Sequence, residues 1–354
     1  MKVLVTGGCG FLGSNIAASY LDAGAEVVVI DALFRKGSES NLGWLRSKAS
    51  AGRLHFFQLD VADESGVDAV FQAHAPFDYV CHLGGQVAMT TSLSDPRRDL
   101  RTNVVGTFNV LESVRRHCPG ALVAYSSTNK VYGDLERIKP VEGPTRYTLP
   151  GYPEGLDETL SLDFASPYGC SKGSADQYVR DWHRNFGLKT VVFRHSSIYG
   201  GRQFATFDQG WIGWFCQKAL EQRRALAEGR EPEAFTISGT GKQVRDVLHA
   251  DDLIRLYQAA YENRDKVAGH VYNIGGGISN SLSLLELFGL LEDLLEFPAG
   301  THMKYTRLPR RQSDQDFFVA DVRLAGSELG WTPRKSCREG ISAMLDWIAK
   351  SHQA

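Results

Sequence analysis

Tyr168 and Lys172 stand four residues apart in YGCSK, and a glycine-rich run, GGCGFLG from Gly7 to Gly13, opens the chain. At i and i+4 a phenol and an ammonium project from one helical face, and Ser166-Pro167 just ahead of them reads as a helix start. A tyrosine with its ordinary pKa near ~10 is a poor base at neutral pH. A neighbouring ammonium, joined by the charge of an oxidised nicotinamide, is expected to favour the phenolate and let it take a proton from an alcohol. Thr128, in STNKVYG after an apolar run, offers a hydroxyl that can hold the reacting oxygen toward Tyr168; a threonine after a strand is also ordinary turn chemistry. The tyrosine–lysine spacing is weak evidence alone and gains its weight from the glycine loop.

That loop is placed where a dinucleotide needs it. Lys2 to Thr6 reads as a short buried strand and Asn15 to Ala23 as a helix, with the glycines turning the chain between them. Strand, tight turn and helix in that order aim bare N–H groups and the positive end of a helix dipole at a pyrophosphate. Gly7 makes the turn, Gly10 admits the phosphates, and Gly13 allows close packing of helix on strand. A second apolar strand, Glu26 to Ile30, ends on Asp31, an acid placed to accept hydrogen bonds from both ribose hydroxyls. It would repel a 2′-phosphate, so NAD is expected over NADP; Arg35 and Lys36 lie close and leave acceptance of NADP open.

Further strand candidates, Leu54 to Leu59, Tyr79 to Leu83, Ala121 to Tyr125 and Thr190 to Phe193, alternate with helix-like stretches. The alternation predicts an α/β fold, a Rossmann-type doubly wound parallel sheet with ligands gathered at the carboxyl ends of its strands. After Tyr199 the pattern loosens into glycines and aromatics. We expect an NAD-binding domain over 1–197 with returning segments near 234–275, and a smaller interleaved C-terminal substrate lobe from 198–233 and 276–354. Phe235 to Ile237, GTGKQVRD and Val271 to Ile274 are expected to cross back to the main domain.

Composition sets limits. The 354 residues are 43% hydrophobic, enough for a large core, and the net charge of −2 with no dominant basic stretch argues against nucleic-acid or membrane-surface binding. Six cysteines without paired spacing point to reduced thiols in a cytoplasm, and no metal site is expected. No leader or membrane span is read from the sequence. Cys170 is expected as a buried structural thiol off the catalytic face.

The combination of TGGCGFLG, the strand-end Asp31, LDV at Asp60, HLGGQ at His82 to Gln86, NVVGT at Asn103 to Thr107, SSTNKVYG, YGCSK and GKQVRD resembles the extended short-chain dehydrogenase/reductase superfamily, in its nucleotide-sugar epimerase and dehydratase branch. The resemblance covers essentially the whole chain. Longer runs, among them GGQVAMTTS, SPYGCSKG and ISGTGKQVRDVLHADD, narrow it toward epimerases that invert the sugar 2-position of a CDP-hexose. It implies a catalytic trio at Thr128, Tyr168 and Lys172, with Lys172 and Tyr168 also touching NAD. Implied cofactor contacts are Gly7, Gly10, Phe11, Leu12, Gly13, Asp31, Asp60, Val61, Leu83 and Asn103. Arg245 and Arg311 match arginines that grip the diphosphate. Gln86, Asn129, Gln203 and the aromatics around Trp211 are implied sugar or base contacts. Each of these polar groups has a structural alternative; for Arg245 it is an ion pair with Asp246 or Asp251.

The same resemblance implies oxidation of the 2-hydroxyl, a transient 2-keto sugar held by its diphosphate, and reduction from the opposite face. Two alternatives stand beside it. A 4,6-dehydratase or decarboxylase would carry acids directly after the catalytic threonine, where this chain has Asn129 and Lys130. A non-enzymatic NAD-sensing regulator would not need Tyr168 and Lys172. Family habit implies a homodimer or homotetramer.

Overall fold

In the computed structural model, which describes residues 1–206, 209–310 and 314–351, a seven-stranded sheet forms the centre. Its strands are β1 (Lys2–Thr6), β2 (Glu26–Asp31), β3 (Leu54–Gln58), β4 (Tyr79–His82), β5 (Leu122–Thr128), β6 (Lys189–His195) and β7 (His270–Ile274). The order is β7-β6-β5-β4-β1-β2-β3, all pairs parallel, so the direction of strand addition reverses between β1 and β4. That reversal opens a crevice at the carboxyl ends of the two strands, beside the glycine loop.

The strands read as unbroken apolar runs because both faces of the sheet are covered. Alternation sorts them: Val3, Val5, Val27 and Val29 pack into one buried cluster, while Leu4, Val28 and Ile30 pack into the other. Three helices matter to the site. They are α1 (Phe11–Asp22) after β1, α2 (Gly106–His117) before β5, and α3 (Ser166–Phe186) before β6. Pro167 sits in the first turn of α3, as the sequence predicts, and left-handed Gly187 closes the helix.

Beyond β6 the chain builds a smaller body around Phe215, Phe288 and Met344. Of the segments expected to cross back, His270–Ile274 joins the main sheet at its edge. Phe235–Ser238 instead pairs with Tyr305–Leu308, and Val244–His249 with Ser281–Ser283, Phe317–Phe318 and Ser197–Tyr199. These two strands therefore lie outside the main sheet, an arrangement that local patterning does not reveal, because most of their partners are distant in sequence. No helix among the described residues is long and apolar enough to cross a membrane.

Candidate active site

A cavity of about 490 Å³ runs along the crevice. Its lining brings together Gly7, Gly10, Phe11, Leu12, Gly13, Asp31, Asp60, Val61, Leu83, Gln86, Thr128, Tyr168 and Gln203 from the sequence prediction, with Trp211 at the far wall. Asn103, Asn129, Lys172 and Arg245 are not among the lining residues, and Arg311 lies outside the described residues.

The loop residues fit a dinucleotide on backbone grounds. Gly7 has φ +67°, and a Cβ on Gly13 would fall 2.1 Å from the Gly7 carbonyl oxygen. A Cβ on Gly10 would meet only that carbonyl, so its other side is open. Helix α1 starts at Gly10 with no side-chain cap and no acid in its first turn, which leaves its N–H groups for an anion in the cavity. At the end of β2, Asp31 is oriented by the N–H groups of Cys9 (2.9 Å) and Leu33 (2.7 Å). Gly84 replaces the bulk that would press at 3.1 Å on the Thr6 hydroxyl and at 3.3 Å on the Gly7 nitrogen.

The catalytic candidates come from two elements. Thr128 is the last residue of β5, and Tyr168 and Lys172 rise from the first turns of α3. Burial pushes the Tyr168 phenol up to about 12, the Thr128 hydroxyl draws it back, and the charge of Asp99 adds to the rise. Lys172 is pushed down to about 7 by burial, against Asp176 and Asp99, which both support its charge. The ammonium donates to the Ser126 carbonyl oxygen and sits 4.3 Å from the Tyr125 ring centroid. With the protein groups alone, burial is the largest influence on the Tyr168 phenol, and the Lys172 ammonium is turned toward the end of β5.

Several predicted contacts are occupied by other protein groups. Asn103 accepts from the Gln86 N–H (2.8 Å) and donates to the Gln86 carbonyl (3.0 Å) and the Ser171 hydroxyl (2.9 Å). The Gln86 amide donates to Ala88 O and to Asp99, both at 2.7 Å. Asn129 donates to Gln315 at 3.0 Å. Gln203 donates to Ile198 O at 3.3 Å, and its buried amide oxygen has no partner among the described residues. Arg245 pairs with Asp314 at 2.9 Å, and not with the Asp246 or Asp251 of the structural alternative. Cys170 is exposed, its thiol donating to Phe164 O, so the expectation of a buried thiol is also corrected: the helix face two residues from Tyr168 looks to solvent.

Other groups escape sequence reasoning. Lys130, read in the sequence only as the lack of an acid, is a half-buried amine brought down to about 8 by desolvation and by Arg245. His82 and His195 are buried beside Lys172 and held neutral, each pushed down to about 3 by burial and then by the lysine charge. Asp176 is locked by Arg194 (2.9 and 3.0 Å) and the Ser127 hydroxyl (2.8 Å).

The family model described as NAD dependent epimerase/dehydratase family matches residues 3–275. The chain belongs to this family. It is 53% identical over 349 residues to CDP-paratose 2-epimerase of Salmonella typhi, with 99% of each chain covered. It is 30% identical to dTDP-glucose 4,6-dehydratase of Shigella flexneri over 98% of this chain and 92% of that one. The UDP-glucuronic acid 4-epimerase of Bacillus cereus, solved with UDP-glucuronic acid and NAD, superposes with a TM-score of 0.79 at 26% identity, covering 99% of this chain and all of that one. The Rossmann-type fold, the NAD dependence and membership of an epimerase family expected from the sequence are thus in place.

Proposed function

We propose that this enzyme is an isomerase that inverts the sugar 2-position of CDP-paratose or a related CDP-hexose. What carries the reading is 53% identity across the whole chain to a CDP-paratose 2-epimerase, combined with Tyr168 and Thr128 facing one cavity with the glycine loop. Removing the C–H proton of an unactivated sugar carbon directly would leave an unstabilised carbanion. NAD, when bound, supplies a hydride acceptor that avoids this and can give the hydride back to the other face of the carbon.

The chain's own residues then have defined tasks. Gly7, Gly10 and Gly13 with the uncapped start of α1 hold the pyrophosphate, and Asp31 holds a ribose. Thr128 orients the 2-hydroxyl, and Tyr168 takes its proton at the phenol oxygen and later returns it. Lys172 keeps positive charge behind the phenol. Arg245, with Lys130 nearby, holds the diphosphate while the keto sugar turns. Asn129 and Lys130 stand where elimination needs an acid, and neither is a carboxylic acid, which supports epimerisation over dehydration.

Incubation with CDP-paratose in deuterated water tests this. The expected product is CDP-tyvelose, with no water lost and no deuterium at the inverted carbon; a product lighter by one water overturns the reading. A panel of CDP, UDP, GDP and dTDP sugars fixes the nucleotide. We also propose a cytoplasmic homodimer or homotetramer. Exposed Phe108 on α2 and Tyr178 on α3, whose rings touch, with exposed Leu100 and Val105 in the helical turn before α2, offer apolar surface that suits a second copy, and a Phe108→Glu variant running as a monomer in sedimentation would support it.

A further inference from the structure

We propose that Glu26, His55 and His74 form a binding site for a zinc-class divalent transition ion at the amino-terminal edge of the main sheet, away from the crevice. The inference is independent of the epimerase reading. Glu26 is the first residue of β2, His55 the second of β3, and His74 the last of the helix Glu64–His74. In the parallel register His55 stands opposite Val28, two residues on from Glu26, so both side chains leave the same face of the sheet. The helix covers that face, its Val67, Val70 and Phe71 packed in one cluster with Leu4 and Val28. Its last residue therefore comes down beside the two strand residues. The three ligands come from three separate segments, so no short Cys/His spacing in the sequence announces them.

One ligand atom from each residue, a carboxylate oxygen and two imidazole nitrogens, lies within 4.8 Å of the other two. In a tetrahedral zinc site, bonds of about 2.0–2.1 Å set ligand atoms about 3.4 Å apart. Glu26 Oε1 and His55 Nε2 already stand at 3.3 Å. The His74 ring is tilted by 48° against that of His55, with centroids 5.0 Å apart, and Phe57 backs it at 5.1 Å. Among the described residues His74 makes these ring contacts and no hydrogen bond, and this is the one group of three such side chains close enough to share an ion. The spot already attracts a cation: Lys2, opposite Glu26 in β1, holds its ammonium 3.0 Å from Glu26 Oε1. Lys2 is partly exposed, and its flexible stem lets it retreat to water when a divalent ion takes the oxygen. Two nitrogens and one carboxylate suit zinc, cobalt, nickel or copper, whereas calcium and magnesium take oxygen ligands. Three protein ligands leave a fourth position to water. A bound ion ties β2, β3 and the helix together, so it acts on stability and not in the crevice.

Cobalt(II) is the probe, because the tetrahedral ion absorbs strongly in the visible and a thiolate ligand adds a near-ultraviolet band. Protein treated with EDTA and dialysed should take up one equivalent with the visible band and without the thiolate band, which excludes exposed Cys170 as the ligand. Zinc should displace the cobalt and magnesium should not. His55→Ala and His74→Ala should each lose the band; should His74→Ala fail to fold, His74→Gln reads the same loss. Lys2→Met, freed of the competing ammonium, should bind about fivefold tighter. Zinc at about a hundredfold over its Kd should raise Tm by about 3 °C in the parent and leave His55→Ala unmoved. A parent without the tetrahedral band, a band that survives both histidine substitutions, an equal Tm shift in His55→Ala, or a Lys2→Met variant that binds no tighter overturns the inference.

Discussion

Lys172 gives its hydrogen bond to the carbonyl oxygen of Ser126, and Tyr168, four residues earlier on the same helix, keeps a phenol that burial holds near 12. At neutral pH the protein groups alone leave the phenol protonated. Ionisation must be supported by positive charge brought into the cavity, which couples base strength to the presence of the oxidised coenzyme. Tyr168→Phe should therefore bind NAD within about twofold of the parent by calorimetry and fold normally. Its kcat should fall by about 10³, the middle of the range for a lost general base. Unchanged turnover would remove Tyr168 from the chemistry and favour an NAD-sensing role.

Gly13→Ala forces a methyl group to within 2.1 Å of Gly7 O and 2.8 Å of Gly8 Cα, all backbone that cannot step aside. We expect a loss of about 1–3 kcal/mol in urea unfolding and at least a tenfold weaker NAD affinity. Gly43→Ala, inside the helix Ser38–Lys48 with nothing within 4 Å of its Cβ, is the control. It should stabilise by about 0.5–1 kcal/mol and leave NAD binding unchanged.

Asn129→Asp installs an acid at a position where the dehydratase alternative needs one. Here the Asn129 amide donates to Gln315, whose own amide donates to Gly133 O at 2.6 Å. A carboxylate would face the Gln315 carbonyl oxygen, acceptor against acceptor. The variant should lose about 1–3 kcal/mol of stability and still release no product lighter by water, as read by mass spectrometry.

His82 bridges Thr6 of β1 (2.6 Å) and Thr107 of α2 (2.9 Å) and is pushed down to about 3, from an ordinary 6.5. Between pH 6.5 and 3 the unfolded chain binds a proton at this site that the folded chain refuses. The stabilisation is complete above 6.5 and is lost as pH falls through that window. His82→Gln stays neutral in both states, so its stability–pH slope there should be flatter by about one proton, or about 1.4 kcal/mol per pH unit. Denaturant titrations at pH 7, 5.5 and 4.5 measure it.

The glycine loop, Asp31 and the Tyr168–Lys172 helix face were legible in the sequence because each is a local pattern: a strand period, a turn or an i, i+4 spacing. The groups that govern their electrostatics were not. Asp99 meets Ser171 across 72 residues, Arg245 meets Asp314 across 69, and Asn129 meets Gln315 across 186. Such pairs are set by which loops the sheet brings together, and no local rule names them. The same holds for Val244–His249, which has the look of a main-sheet strand but pairs with Ser197–Tyr199 in the smaller body.

After β6 the chain runs out through Ser197–Tyr199, comes back along Ala250–Glu262 to β7, and leaves once more. The main sheet and the smaller body are thus sewn by several covalent threads. Walls joined this way cannot swing apart on a single hinge. Rigidity across the crevice is thus a property of the chain's route.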